Sequence, residues 1–304
     1  MKQQLKGIFA LLLTTIIWGS AFVAQSAGME HVGPFTFQAV RSFLAVIGLI
    51  PVIAVIDHFK KDNRSFISRW KNKKLWKTGI LCGVPLFLAC NLQQLGLVDT
   101  DAGKSAFLTA MYIVIVPIIG LFLKKKASRW TPVSVLLAAS GLYCLSCVGV
   151  TSIRTSDLLL ICCALMFALQ IVFVDLFAAD LDPLRLNLIQ VLVCAVLSTI
   201  VMMFTEKPTW EAVATSWLPL SYAGFLSMGA AYSLQIVGQK HLPPTPAALI
   251  MSLESVFAVL FGCWILKERL TIWESIGCVL MFIAVILSQL PDKKSSFKAP
   301  AETT

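Results

Sequence analysis

The amino-acid sequence predicts an all-α membrane protein of ten transmembrane helices, arranged as two five-helix repeats of opposite orientation. Three observations predict it. Apolar runs of spanning length follow one another from Gly7 to Leu290, lysine and arginine collect in the gaps between them, and the chain resembles itself when shifted by 142 residues. With 58% hydrophobic residues, 13% charged residues and a mean hydropathy of +0.82, charge is too sparse to solvate a water-soluble domain of 304 residues.

A helix needs about 20 mostly apolar residues to cross a hydrocarbon core about 30 Å thick. The runs that meet this need are about 7–26, 34–57, 77–97, 103–123, 130–149, 156–178, 183–204, 217–238, 245–266 and 271–290. They are twice as long as barrel strands and lack strict alternation, which excludes a transmembrane barrel. Lys2 and Lys6 precede the first run as they would in a signal peptide. That run is too long for one, has no cleavage site and carries Trp18-Gly19-Ser20 at its centre, so it is expected to remain as a helix.

Orientation follows from the basic residues. On the side of the N-terminus 19 Lys and Arg fall in loops and tails, against five on the other side: Lys104, Arg154, Lys207, Lys267 and Arg269. Both termini are therefore expected to be cytoplasmic in the plasma membrane, including a tail at 291–304. The net charge of +9 satisfies this rule and meets anionic lipid heads; because it lies in loops rather than on a folded basic face, nucleic acid is not an expected partner. The nine cysteines all lie within the runs, where disulfide staples are not expected, and Cys144 and Cys147 read as packing rather than redox chemistry.

The 142-residue shift sets Asn91 to Gly96 against Ser233 to Gly238 and Ala106 on Ala248, and a shift of 143 aligns Trp130 with Trp273. Each copy, 7–149 and 156–290, holds five runs. An odd number forces the second copy into the membrane upside down, an architecture of transporters whose site lies near the midplane.

The run Thr245 to Ala258, continuing through Leu266-Lys-Glu-Arg-Leu-Thr to Gly277, resembles the signature of EamA-type drug/metabolite transporters. Trp18-Gly19-Ser20, Pro34 followed by Arg41, and Val116-Pro117 are similar to the first-copy signature. The resemblance covers about residues 7–290. It implies ten helices with both termini inside, and a central cavity lined by spans 1, 3, 4, 6, 8 and 9. It also implies a small-molecule substrate such as an amino acid, sugar, purine, drug or other metabolite, usually moved outward. One departure is Glu254-Ser255, where the family often has Glu-Pro; the acid stays and the proline is gone.

Charge inside a membrane is the sharpest residue-level signal, because an ionised group near a helix centre costs about 2.5–3.5 kcal/mol even on insertion scales. Glu254 is expected near mid-depth on one face with Ala247, Met251 and Ala258. It would contact a substrate ammonium, bind a proton, or clamp helices together. Arg41, a third of the way in, reads as structural or as a carboxylate anchor. Asp175, near the end of its span, is expected to be solvated at the interface.

Asn91 and Gln94 share a face of span 3, with Gln93 beside them; Tyr232 and Gln235 do the same on span 8. Direct binding and helix-to-helix hydrogen bonding are both open to these amides. Inversion is expected to put Gln93 near one mouth and Gln235 near the other. Trp18, in a stripe with Thr14, Ala21 and Gln25, and Tyr112, which the 142 shift sets against Glu254, are the aromatic candidates for a cavity wall. Pro85 and Pro117 read as kinks or gating elements, and Ala223, Ser227 and Ala231 as a ridge for close packing.

No H-E-x-x-H, G-x-S-x-G or phosphate-loop motif occurs, and His31, His58 and His241 are scattered among loops. Neither an enzyme, a metal nor a cofactor is expected. The expected function is export of a small organic metabolite, such as an amino acid, related metabolite or drug, by alternating access. Its alternatives are an uptake permease and, from another class, an intramembrane enzyme or receptor-like scaffold.

Overall fold

In a computed structural model of the chain, residues 2–59, 66–125, 128–146, 154–266 and 271–290 are described, and among them regular structure is helical throughout. The proposed tail at 291–304, Cys147 and the loop basics Lys267 and Arg269 lie outside the described residues.

The helices are α1 (Lys2–Gly28), α2 (Pro34–Phe59), the short α3 (Phe66–Trp70), α4 (Lys73–Val98), α5 (Ala102–Ala110), α6 (Tyr112–Phe122), α7 (Thr131–Ser146), α8 (Thr155–Phe177) and α9 (Pro183–Thr205). After them come the short α10 (Trp210–Thr215) and α11 (Trp217–Ser221), a π-helix (Tyr222–Ala231), α12 (Tyr232–Gln239), α13 (Pro244–Met251), α14 (Glu254–Leu266) and α15 (Ile272–Ser288). Among the described residues seven helical runs are long and apolar enough to cross a membrane. Thr131–Leu145 and Ile272–Ser288 are apolar but shorter, and the run expected at 217–238 is divided among α11, the π-helix and α12.

Local chemistry sets the ends. Asn72 and Asp182 accept the first backbone N–H groups of α4 and α9, and Pro183 opens α9 without wasting a donor. The α2 terminus is capped from a distance: Glu206, just past α9, accepts from Phe35 N at 2.9 Å and Thr36 N at 2.8 Å. A carboxylate at the positive end of a helix dipole ties those two chain segments together.

Helix pairs follow the repeat. With α1, α2, α4, α5–α6 and α7 set against α8, α9, π–α12, α13–α14 and α15 by the offset in the sequence, three corresponding pairs pack directly on each other: α2 on α9, α5–α6 on α13–α14 and α7 on α15. At the α7–α15 crossing Gly141 and Gly277 face each other's carbonyls so closely that a Cβ on Gly277 would stand 2.6 Å from Gly141 O. Other contacts come in matched pairs. Gly238 on α12 packs against Leu11 of α1, and Gly96 on α4 packs against Leu160 of α8.

Two irregularities shape the interior. The ridge Ala223, Ser227 and Ala231 lies in the π-helix, not the expected α-helix. π-Turns leave carbonyls out of line, and side chains from neighbouring helices take them up: Trp18 Nε1 donates to Ser227 O at 3.4 Å, Asn187 Nδ2 to Gly229 O at 2.9 Å, Thr14 Oγ1 to Ala231 O at 3.2 Å. Each of the two-piece spans also breaks at one equivalent place. Met111 divides α5 from α6, and Ser252–Leu253 divides α13 from α14, through tightened turns in which Met111 N bonds Leu108 O and Leu253 N bonds Ile250 O. The second break needs no proline. Ser255 N instead donates to Ser252 O at 3.2 Å, a bond that a proline at position 255 could not make.

At the end of the bundle where α1 begins, Asp57 of α2 bonds both Arg69, at 2.5 Å, and Arg185 of α9, while Arg185 lies over the Trp70 ring. All three charged groups are buried. Asp57→Asn takes an anion from both cations while Asp182 stays 3.1 Å from Arg185, so it is expected to lower stability by about 1–3 kcal/mol in a detergent unfolding assay. Asp175 forms an ion pair with Lys125, which corrects the solvated reading given above. Nearby, Lys74 holds the Asp180 carboxyl below the usual carboxylate range from 2.8 Å.

Candidate functional site

A small buried cavity of about 30 Å³ is lined by side chains from α1, α2, α4 and α6 and from α8, the π-helix, α12 and α14. Its wall repeats itself. Gln93 and Gln235, and Tyr112 and Glu254, stand opposite at the 142 offset; Trp18 and Phe167, and Phe22 and Ile171, do so at an offset of 149. Gln25, Arg41, Ser227, Met228 and Tyr232 complete it.

Equivalent residues also touch. The Tyr112 hydroxyl donates to Glu254 Oε1 at 2.9 Å, and Cys90 Sγ lies 3.6 Å from the Tyr232 hydroxyl, both pairs 142 residues apart. Tyr112 and Glu254 begin α6 and α14, directly after the two helix breaks, so the same irregularity aims both side chains inward. Glu254 is 4% exposed and Tyr112 2%.

Trp18 is fixed twice, by its indole bond to Ser227 O and by a tilted contact with the Tyr232 ring at 4.8 Å between centroids. Gly19, beside it, lets α1 approach α14: a Cβ there would lie 2.8 Å from Ala258 N and 2.9 Å from Glu254 O.

Two polar networks flank the cavity and match one another. In the first, Arg41 Nε donates to Gln38 Oε1 at 2.7 Å, and Arg41 and Gln94 both donate to Gln25 Oε1. In the second, Gln190 Nε2 donates to Asn187 Oδ1 at 2.9 Å, Gln170 Nε2 to Gln190 Oε1 at 3.2 Å, and Gln235 Nε2 to Gln170 Oε1 at 2.9 Å. Gln38 and Arg41 occupy in α2 the places that Asn187 and Gln190 occupy in α9, 149 residues on. One network carries a guanidinium; the other is neutral.

Of the residues singled out from the sequence, Trp18, Arg41, Gln93, Tyr112, Tyr232, Gln235 and Glu254 line the cavity. Gln93 and Gln235 share this one wall instead of marking opposite mouths, because both face the meeting plane of the halves. Asn91 and Gln94 stand behind the wall: Asn91 Nδ2 bonds Phe87 O and Ser198 Oγ, each at 2.8 Å, and Gln94 bonds Gln25. Pro85 and Pro117 lie inside α4 and α6 away from the wall. The sequence reading missed Phe22, Phe167, Ile171 and Met228 as wall residues. An apolar side chain in an apolar helix carries no mark of its own, but the 149 offset pairs Trp18 with Phe167 and would have found that one.

Beyond the cavity, at the end opposite the start of α1, a vestibule of about 760 Å³ is walled by Val23, Ser26 and Ala27 of α1, by 97–104 and by α14. Trp18, Phe22 and Gln25 of the same α1 line the cavity, so the vestibule stands a turn above it.

The sequence profile of the EamA-like transporter family matches residues 5–147 and 154–290. A protein of Archaeoglobus fulgidus described as "Uncharacterized transporter" is 32% identical over 289 residues, covering 95% of this chain and 87% of its own length. "Uncharacterized transporter YoaV" of Bacillus subtilis is 22% identical, covering 94% of this chain and 97% of its own. A solved structure titled "Crystal structure of protein" superposes with a TM-score of 0.75 over 92% of this chain and 95% of that one. At 16% identity that likeness speaks for the fold alone.

Proposed function

The chain belongs to the EamA-like transporter family, and from that premise we propose that it is a secondary transporter of the plasma membrane that exports a small organic metabolite by alternating access. The reading takes ten spans in two inverted repeats, residues 7–149 and 156–290, with both termini cytoplasmic. Supporting it are the two-segment family match, the paired wall of the cavity and the hydrogen bond between Tyr112 and its equivalent Glu254. That last contact is the observation on which the reading rests most.

A cavity beside a two-fold axis in the membrane plane is exchanged with itself when the halves trade conformations, so one set of side chains serves both faces. The substrate meets Trp18, Tyr112, Tyr232, Gln235 and Glu254. Arg41 and Gln93 position the wall, and Pro85 and Pro117 give α4 and α6 places to bend. Outward direction rests on the family resemblance.

Topology and direction have separate tests. Impermeant thiol labels applied to intact cells should reach cysteines placed at Glu30 and Thr209 and miss one at Lys73; label at position 73 would overturn the orientation. Substrate flux measured in proteoliposomes of known orientation reads the direction, and net inward movement against a metabolite gradient would replace export by uptake.

A further inference from the structure

We propose that Gln239 and Lys240, at the end of α12, form a latch that holds the protein shut at the end where α1 begins, so that without ligand it rests open at the vestibule. This rests on the alternating-access reading and adds the resting state and the bonds that keep it.

The two ends of the bundle are built from corresponding residues, and they differ. At the vestibule, Val23, Ser26 and Ala27 of α1 share an open wall with 97–104. The offsets of 149 and 142 make their counterparts at the other end Val172, Asp175 and Leu176 of α8 and residues 239–246. There the two segments are tied together. Gln239 Nε2 donates to Ile171 O at 3.0 Å, and Lys240 Nζ donates to Leu181 O, in the loop after α8, at 2.7 Å. Val172, the counterpart of vestibule residue Val23, is 3% exposed and belongs to the core. In the first copy the places of Gln239 and Lys240 are taken by Leu97 and Val98, both on the vestibule wall and neither with a side-chain donor. One copy can tie its end shut by side-chain hydrogen bonds and the other cannot.

Other bonds at the closed end join elements whose counterparts stay together beside the open vestibule. Lys125 and Asp175 join the end of α6 to α8, as Gly19 packs α1 on α14. Asp57 and Arg185 join α2 to α9, which Glu206 also joins at the vestibule end. Lys74 and Asp180 are exposed, and a solvated pair adds little. Gln239 and Lys240 instead bridge the place where the vestibule's counterpart would open.

The test uses the full chain with its native cysteines replaced, in oriented proteoliposomes without ligand. One reporter is present at a time, Val23→Cys at the vestibule or Val172→Cys at the other end. A small impermeant thiol reagent is applied at the reporter's own face and the labelling rate is read. In the parent, Val23→Cys should react at least about tenfold faster than Val172→Cys; the reverse order would overturn the proposal. Gln239→Leu with Lys240→Val copies Leu97 and Val98, removing both donors while filling their space. It should raise the Val172→Cys rate about tenfold and lower the Val23→Cys rate, because two hydrogen bonds of ordinary strength shift an equilibrium by about that factor. Either single change should give part of the shift, so a folding failure of the double variant leaves the test intact. Lys240→Arg keeps a donor for Leu181 O and should leave both rates as in the parent. A rise in both rates would mean general loosening and would overturn the latch. If the double variant changes neither rate while Val172→Cys still reacts slowly, that end opens without these bonds: the latch falls and alternating access stands. If Val172→Cys reacts in no variant, that end does not open, and both fall.

Discussion

Glu254→Gln should insert and fold like the wild type and lose at least about tenfold in flux per folded molecule. Glutamine has the shape of glutamate and still offers an oxygen to the Tyr112 hydroxyl, so the 2.9 Å bond between the half-helices survives. Only the charge is removed. A hydrogen bond to a charged group contributes about 1.5–3 kcal/mol, and 1.4 kcal/mol is a factor of ten. If Glu254 binds a substrate ammonium, flux should fall across the whole pH range; if it carries a proton, the variant should instead lose the pH dependence of flux. Tyr112→Phe, which removes the positioning bond and spares the charge, should cost less. If Glu254 were merely a clamp, the unfolding midpoint of Glu254→Gln would drop while flux per folded molecule held. Wild-type flux in the variant would take the residue out of the mechanism.

Gly19→Ala should be nearly as damaging by another route. The added methyl would sit 2.5 Å from Phe257 Cβ and within 2.9 Å of backbone atoms of Ala258 and Glu254, too close for any contact to absorb by a rotamer change. α1 must back away from α14 by a few tenths of an ångström or more. Overpacking of this kind typically costs about 1–3 kcal/mol. The displaced elements carry Trp18 and Glu254, so flux should fall together with the unfolding midpoint. A variant with both unchanged would mean that the α1–α14 contact is looser than described.

Helix positions were legible in the sequence because lipid imposes a length and a polarity on every crossing. Glu254, Arg41, Trp18 and Tyr112 were legible because charge and mid-depth aromatics are costly or out of place there. The self-similarity even set Tyr112 against Glu254 before any contact was known. What stayed hidden has a common cause. The π-helix at Tyr222–Ala231 depends on donors from Thr14, Trp18 and Asn187 that lie far away in the chain. The break at Ser252–Leu253 carries no proline or glycine to announce it. Asn91 and Gln94 look the same in sequence as Gln93, and only packing decides which amide faces the cavity and which bonds a neighbouring helix. Asp175 looked solvated because its partner Lys125 comes from a loop fifty residues earlier.

Access to the cavity from both sides of the membrane is the centre of the account, and one cysteine reads it. Ser227→Cys, in a background with the nine native cysteines replaced by serine or alanine, puts a thiol of nearly the same size on the cavity wall. In oriented proteoliposomes a small impermeant thiol reagent should label it from either face, and saturating substrate should protect it from both. Labelling from one face alone, under conditions where flux is observed, would contradict alternating access at this cavity.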